Sequence, residues 1–80
     1  MNIQQQLIAL VKEYESHERD DPKRGPLLMK LRLIGQTAAF FDGYDGMKRL
    51  HDAAEAIVGC DNSIGYTLNY VWDGIGGWWA

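Results

Sequence analysis

The chain has little of what marks a secreted or membrane protein. It contains one cysteine, two histidines and two prolines among 80 residues. A single thiol, Cys60, cannot form an internal disulfide, whereas small domains of oxidising compartments normally have several. No apolar run approaches the roughly 20 residues of a transmembrane helix, and the first residues lack the pattern of a signal peptide. We therefore expect a cytoplasmic protein with no membrane partner.

The chain also lacks an excess of positive charge. Eight Lys or Arg residues stand against eleven Asp or Glu residues, which gives a net charge of -3. Residues 1–41 hold six basic and five acidic residues, while residues 42–80 hold two and six. This balance argues against a surface built to bind phosphates, and the acidic C-terminal half suits a basic region of a partner.

No group of residues shows the spacing of a known catalytic or cofactor site. The two histidines lie on different predicted helices. His51, Asp52 and Glu55 form at best part of a zinc site, because zinc usually has three or four firm ligands. Asp61 beside Cys60 disfavours a reactive thiolate. We therefore predict a protein that is not an enzyme and that uses no cofactor or metal.

Hydrophobic spacing predicts a first helix over residues 3–18, with Asn2 as its cap. A further helix follows "DGYDG", with Asp45 as its cap and Gly59 as its left-handed terminator. Both helices present one apolar stripe, which is typical of helices that pack on a core from one side.

A helix over residues 26–41 lies between these two. It starts at Pro26, which loses no hydrogen bond at the first helical position. Its residues are apolar on most sides, which predicts a central helix that several neighbours cover. Gly35 in its middle predicts a second backbone passing close by.

The segment from residue 63 to 73 fits both a helical stripe and a strand-like alternation. We favour the helix, ended by Gly74, because a single strand would have no partner. The fold prediction is all-α, a compact bundle of three to four short helices in one domain of residues 1–80 with a folded-back aromatic tail. The alternative is α+β, with a C-terminal strand or hairpin.

The chain ends in "WDGIGGWWA". Each indole buries about 200 Å², which is worth up to about 5 kcal/mol as an upper bound. Trp78 and Trp79 therefore either complete a small core or anchor a partner, and we favour the core. A homodimer buried through this tail would satisfy both uses.

Elimination leaves a protein that works by presenting a surface. We predict a small non-enzymatic accessory factor that docks on a larger assembly and modulates or inhibits it. Mildly acidic chains of this size without a catalytic set are common among phage and mobile-element products, which include inhibitors of host defence of the anti-CRISPR kind, so such an inhibitor is one form this factor could take. The candidate partner-binding residues are aromatic side chains and nearby acidic groups, namely Asp42, Tyr44, Asp45, Asp52, Tyr66, Tyr70, Asp73, Trp78 and Trp79.

The alternative is a small nucleic-acid-binding regulator. The second helix, "DGYDG" and the third helix together resemble a helix-turn-helix in order and length. A recognition helix is normally basic, but "MKRLHDAAEAI" balances two basic residues with two acidic ones. Nucleic acid is therefore the weaker of the two predictions for the partner.

Overall fold

The computed structural model describes residues 2–59 and 63–78, and in that part of the chain the regular structure is entirely helical. Helix α1 spans Ile3–Ser16, α2 spans Arg24–Val58 and α3 spans Ile64–Val71. The all-α prediction is confirmed, including helix rather than strand near the C-terminus. Among the described residues, no helix combines the length and hydrophobicity that spanning a bilayer requires. Cys60 and Trp79 lie outside the described residues.

Helix α1 begins at the predicted cap. The side-chain oxygen of Asn2 accepts a hydrogen bond from the Gln5 backbone N–H at 2.8 Å, which satisfies one of the free amides of the first turn. The helix ends at Ser16, two residues before the predicted end, because His17 is extended with φ -97° and ψ 148°.

Helix α2 is sharply bent. A straight helix of 35 residues would be about 52 Å long, whereas the longest dimension of the molecule is 32 Å. The bend is at Gly43, whose φ of 68° and ψ of -161° lie in a region that essentially only glycine occupies. The bend divides α2 into a first segment, residues 24–42, and a second segment, residues 44–58.

The turn between the predicted second and third helices is therefore shorter than we predicted. Only Gly43 leaves helical geometry, so Asp45 lies inside α2 and does not cap a separate helix. A helix-turn-helix joins its helices through a turn of about three or four residues. The prediction of a helix-turn-helix-like segment is wrong about this turn, because one non-helical residue cannot form a turn of three or four residues.

The core draws side chains from all three helices and from the tail, which we define as residues 72–78. Its buried members are Leu7, Ile8, Val11, Tyr14, Leu27, Leu31, Met47, Ala54, Ile64, Leu68, Val71, Trp72, Ile75 and Trp78. The folded-back tail is thus confirmed, and it places two indoles in the centre of a small protein.

Trp72 joins the tail to α2. Its side chain is fully buried, and its indole N–H donates to the Leu31 carbonyl oxygen at 2.9 Å. The ring lies against Gly35, where an added Cβ would come within 2.7 Å of the indole. We predicted a backbone at Gly35, and the structure places an indole there instead. Arg32 strengthens the junction by donating to the Val71 carbonyl oxygen at 2.8 Å.

The prediction that the second helix is covered on most sides is wrong. Leu27, Leu31 and Gly35 are buried at intervals of four residues, so the core uses one face of the first segment. The other described helices, α1 and α3, and the short tail do not surround it. The opposite face therefore stays exposed.

Replacing Gly35 by alanine will destabilise the fold by about 1–3 kcal/mol, because the new methyl group meets a rigid, fully buried indole. Gln36→Ala, at the neighbouring exposed position of the same helix, is the matched control and should change the free energy of unfolding by less than about 0.5 kcal/mol. Urea unfolding measures both changes. Equal effects in the two variants would contradict the packing of Trp72 against Gly35.

Gly43→Ala will cost about 1–3 kcal/mol for a different reason, because a Cβ there meets no atom within 4 Å and the strain is in the backbone alone. The same unfolding experiment measures this loss, and Gln36→Ala again supplies the baseline. An unchanged free energy of unfolding would show that the chain does not require positive φ at residue 43.

Candidate partner-binding surface

Four large apolar side chains of the first segment of α2 are exposed. Met29, Leu33, Phe40 and Phe41 have exposed fractions of 72%, 61%, 83% and 74%. Met29, Leu33 and Phe40 are separated by four and seven residues, which places them on one side of a helix. The Phe40 and Phe41 rings touch edge to face, with centroids 5.2 Å apart. We call these four residues the outer face.

The outer face differs from the scattered apolar residues that cover any protein surface. Single exposed apolar side chains need no explanation, whereas several on one side of a helix form a candidate interaction surface. Phenylalanine has no polar group that gains from contact with water. Burying each of the four side chains is worth about 1.5–3 kcal/mol, so a partner that covers them gains several kcal/mol.

A groove of about 650 Å³ adjoins the outer face. Leu33 and Phe41 line it from the first segment of α2, Leu50 lines it from the second segment, and Ile3 lines it from α1. Its walls come from both sides of the bend, so the groove exists because α2 turns at Gly43. The outer face and the groove thus share two residues and form one largely apolar surface.

Charge at this groove is sparse. Asp42 and Arg49 both line it, and their side chains approach to 4.0 Å across the bend. Both are well exposed, so their mutual attraction is weak. The groove therefore offers mainly apolar contact, with one acidic and one basic group available to orient a partner.

The structure removes one sequence candidate from the surface. Trp78 is only 6% exposed, its ring lies 5.3 Å from Tyr44 and 5.4 Å from Trp72, and its indole N–H donates to the Asn69 side chain at 3.2 Å. The prediction that the Trp78 side chain contacts a partner is therefore corrected, because this side chain is buried in the core. Tyr44 packs beside it and keeps an exposed fraction of 44%.

The remaining sequence candidates do not converge. Tyr66 and Tyr70 are exposed one turn apart on α3 and line a second cleft of about 880 Å³ with residues of α1 and the start of α2. The aspartates among the candidates are all exposed, and they lie at the bend, farther along α2 and after α3, namely Asp42, Asp45, Asp52 and Asp73. Trp79, the last candidate, lies outside the described residues.

Sequence reasoning missed the outer face because it assigned those apolar residues to a buried central helix. The pair Phe40 and Phe41 was the available signal. Two adjacent helical residues point about 100° apart, so one narrow buried face does not take both. A count of the covering elements would have shown too few neighbours for a helix that is apolar on most sides.

A polar cluster on the second segment of α2 contains the groups best suited to bind a cation. His51 is largely buried, and its Nδ1 lies 3.1 Å from an Asp52 oxygen and 3.6 Å from a Glu55 oxygen. The hydrogen bond with His51, together with the nearby Lys48 ammonium, holds the pKa of Asp52 below its usual value, although burial acts in the opposite direction. Asp52 in turn raises the pKa of Lys48.

Comparison with known proteins gives no match. No family model fits the chain, and no curated protein or solved structure is similar to it. The functional argument therefore depends on the surface chemistry of the described residues.

Trp78→Ala will destabilise the protein by about 3–5 kcal/mol, because it empties a buried indole site in contact with Tyr44, His51 and Trp72. Tyr66→Ala is the control, since this ring is 86% exposed, and it should change the free energy of unfolding by less than about 0.5 kcal/mol. Thermal denaturation of the two variants tests the difference. A Trp78→Ala protein as stable as wild type would contradict the place of this residue in the core.

Proposed function

We propose that this protein acts by binding another protein through the outer face and its adjoining groove. The observation that carries the proposal is the exposure of Phe40 and Phe41, two adjacent rings with no polar group, beside a largely apolar groove. Interfaces take much of their energy from a few large side chains that become fully desolvated. The outer face supplies side chains of this kind already fixed on a helix.

The expected partner segment is an amphipathic helix or loop that places aliphatic or aromatic side chains into the groove. In helix-in-groove recognition the docked helix has apolar residues three, four or seven positions apart, and we expect these spacings in the partner segment. Asp42 and Arg49 at the groove would then select the direction of the bound segment through opposite charges on the partner.

Binding of this kind fits a non-enzymatic accessory factor that docks on a larger assembly and modulates or inhibits it. The partner would lose or gain activity because its own apolar surface is covered. An anti-defence inhibitor from a phage or mobile element is one member of this class and stays a prediction based on size and composition. The surface chemistry described above supports the binding step.

The test starts by capturing partners with the tagged protein from cells of its native host and then rebuilding the complex from purified components. Phe40→Ser and Phe41→Ser should each weaken the reconstituted complex at least about tenfold, since loss of a central anchor costs about 2 kcal/mol or more. Both rings are largely exposed, so the unfolding midpoint should stay close to that of wild type. Calorimetric titration gives the dissociation constants.

Ile57→Ser is the matched control, because Ile57 is also an exposed apolar residue of α2, at 55%, but lies outside the outer face. Its complex should keep wild-type affinity. Tyr66→Ser tests the surface predicted from sequence. A complex that survives Phe40→Ser and Phe41→Ser but is lost in Tyr66→Ser would overturn the proposal. If light scattering shows a dimer that Phe40→Ser and Phe41→Ser dissociate, the outer face binds a second copy of this chain, and the proposal of a different protein partner is overturned.

A further inference from the structure

The polar cluster at His51 surrounds one imidazole ring with three oxygen atoms that only accept hydrogen bonds. The Nε2 atom of His51 lies 3.3 Å from the Gly65 carbonyl oxygen. The Nδ1 atom lies 3.1 Å from an Asp52 oxygen and 3.6 Å from a Glu55 oxygen. In the tautomer that donates from Nε2 to Gly65, the Nδ1 lone pair faces the two carboxylates. Three acceptors face one another, and a positive charge between them would satisfy all three.

The donor atoms have the spacing of a metal site. One ligand atom from each of His51, Asp52 and Glu55 lies within 4.8 Å of the other two. Zinc bonds of about 2.0–2.2 Å at tetrahedral angles place neighbouring ligand atoms about 3.4 Å apart. The distances of 3.1 and 3.6 Å from Nδ1 to the two carboxylates lie on either side of that value. The carboxylates are about half exposed, so small rotations can bring their oxygens together.

The surroundings of the ring also match a metal-binding histidine. Such histidines almost always donate their second ring N–H to a carbonyl or carboxylate, which fixes the tautomer and the direction of the ligating nitrogen. Gly65 of α3 fills this role for His51. The ring is further held by Trp78, at 5.3 Å between centroids. The imidazole is therefore fixed by contacts from outside the cluster, with Nδ1 directed at two carboxylates.

We propose that His51, Asp52 and Glu55 form a binding site for a single divalent transition-metal cation, with Zn²⁺ as the reference ion. One nitrogen and two oxygen ligands leave a position open for water or for a group of a partner. Because the ring is tied to α3 through Gly65, the bound ion stabilises the contact between the second segment of α2 and α3.

Replacing Lys48 should strengthen metal binding, whereas replacing a ligand should weaken it. The Lys48 ammonium lies 3.1 Å from the second oxygen of Asp52 and is more than half exposed. A bound cation competes with this ammonium for the same carboxylate. Lys48→Met should therefore tighten metal binding several-fold, which a purely structural role of the cluster would not produce.

The experiment is a calorimetric titration of the full chain with Zn²⁺ in a non-chelating buffer, with any polyhistidine tag removed. One ion should bind with a micromolar or lower dissociation constant. His51→Gln should weaken binding at least about tenfold, the smallest loss usual even for groups that only support a ligand. Glu55→Gln, which changes an exposed side chain, should do the same if His51→Gln unfolds the protein. Tetrahedral absorption from added Co²⁺ is an independent readout.

The chain contains its own control. His17 also pairs with a carboxylate four residues ahead, at 3.3 Å from Asp21, but no second carboxylate of the described residues pairs with it. His17→Gln should leave Zn²⁺ binding unchanged, and Cys60→Ser removes the thiol as another zinc ligand. Absence of binding, or equal losses in His17→Gln and His51→Gln, would overturn the site.

Discussion

The fold depends on the packing of one indole against one glycine. The Trp72 ring fills the space that a side chain at Gly35 would otherwise occupy. Its indole N–H donates to the carbonyl oxygen of Leu31, which lies four residues before Gly35 in α2. The contact places the start of the tail on α2, and Arg32 holds the end of α3 at the same place. The tail then continues to Trp78, which packs against Tyr44 and His51 of the second segment of α2.

A bent helix gives a short chain two kinds of surface. The first segment of α2 turns Leu27 and Leu31 towards the core and leaves Phe40 and Phe41 in solvent. The second segment turns back and contributes Met47 and Ala54 to the same core. One helix therefore supports the interior on both sides of the bend, and its outer side remains available. A small domain with few elements can in this way expose apolar residues without losing its core.

The sequence was sufficient where local chemistry decides structure. The Asn2 cap and the positive φ of Gly74 follow from short-range preferences, and both are present, although α3 already ends at Val71. The helix near the C-terminus is also present, and it was predicted because a single strand would have no partner. Prediction from sequence failed where burial depends on the number and placement of neighbouring elements. The burial of the second helix depends on how many elements cover it, and hydrophobic periodicity carries no information about that number. The Trp72 contact with Gly35 joins residues far apart in the chain, so spacing alone showed only that something comes close.

The candidate surface was harder to predict for the same reason. Local sequence left two uses open for the aromatic residues at the end of the chain, the favoured core and a partner anchor, and Trp78 is enclosed by Tyr44, His51 and Trp72. The three residues of the polar cluster, His51, Asp52 and Glu55, could be recognised in the sequence because they lie within about one helical turn. The carbonyl of Gly65 that orients His51 comes from another helix, and no pattern in the chain indicated it.

The groove walls belong to two segments joined through a single non-helical residue, Gly43. Whatever fills the groove also holds the angle between those segments, so occupancy and folding are thermodynamically linked. The melting temperature of this protein would then rise with ligand concentration. A residue that alters the bend would change affinity from a distance, without touching the bound molecule.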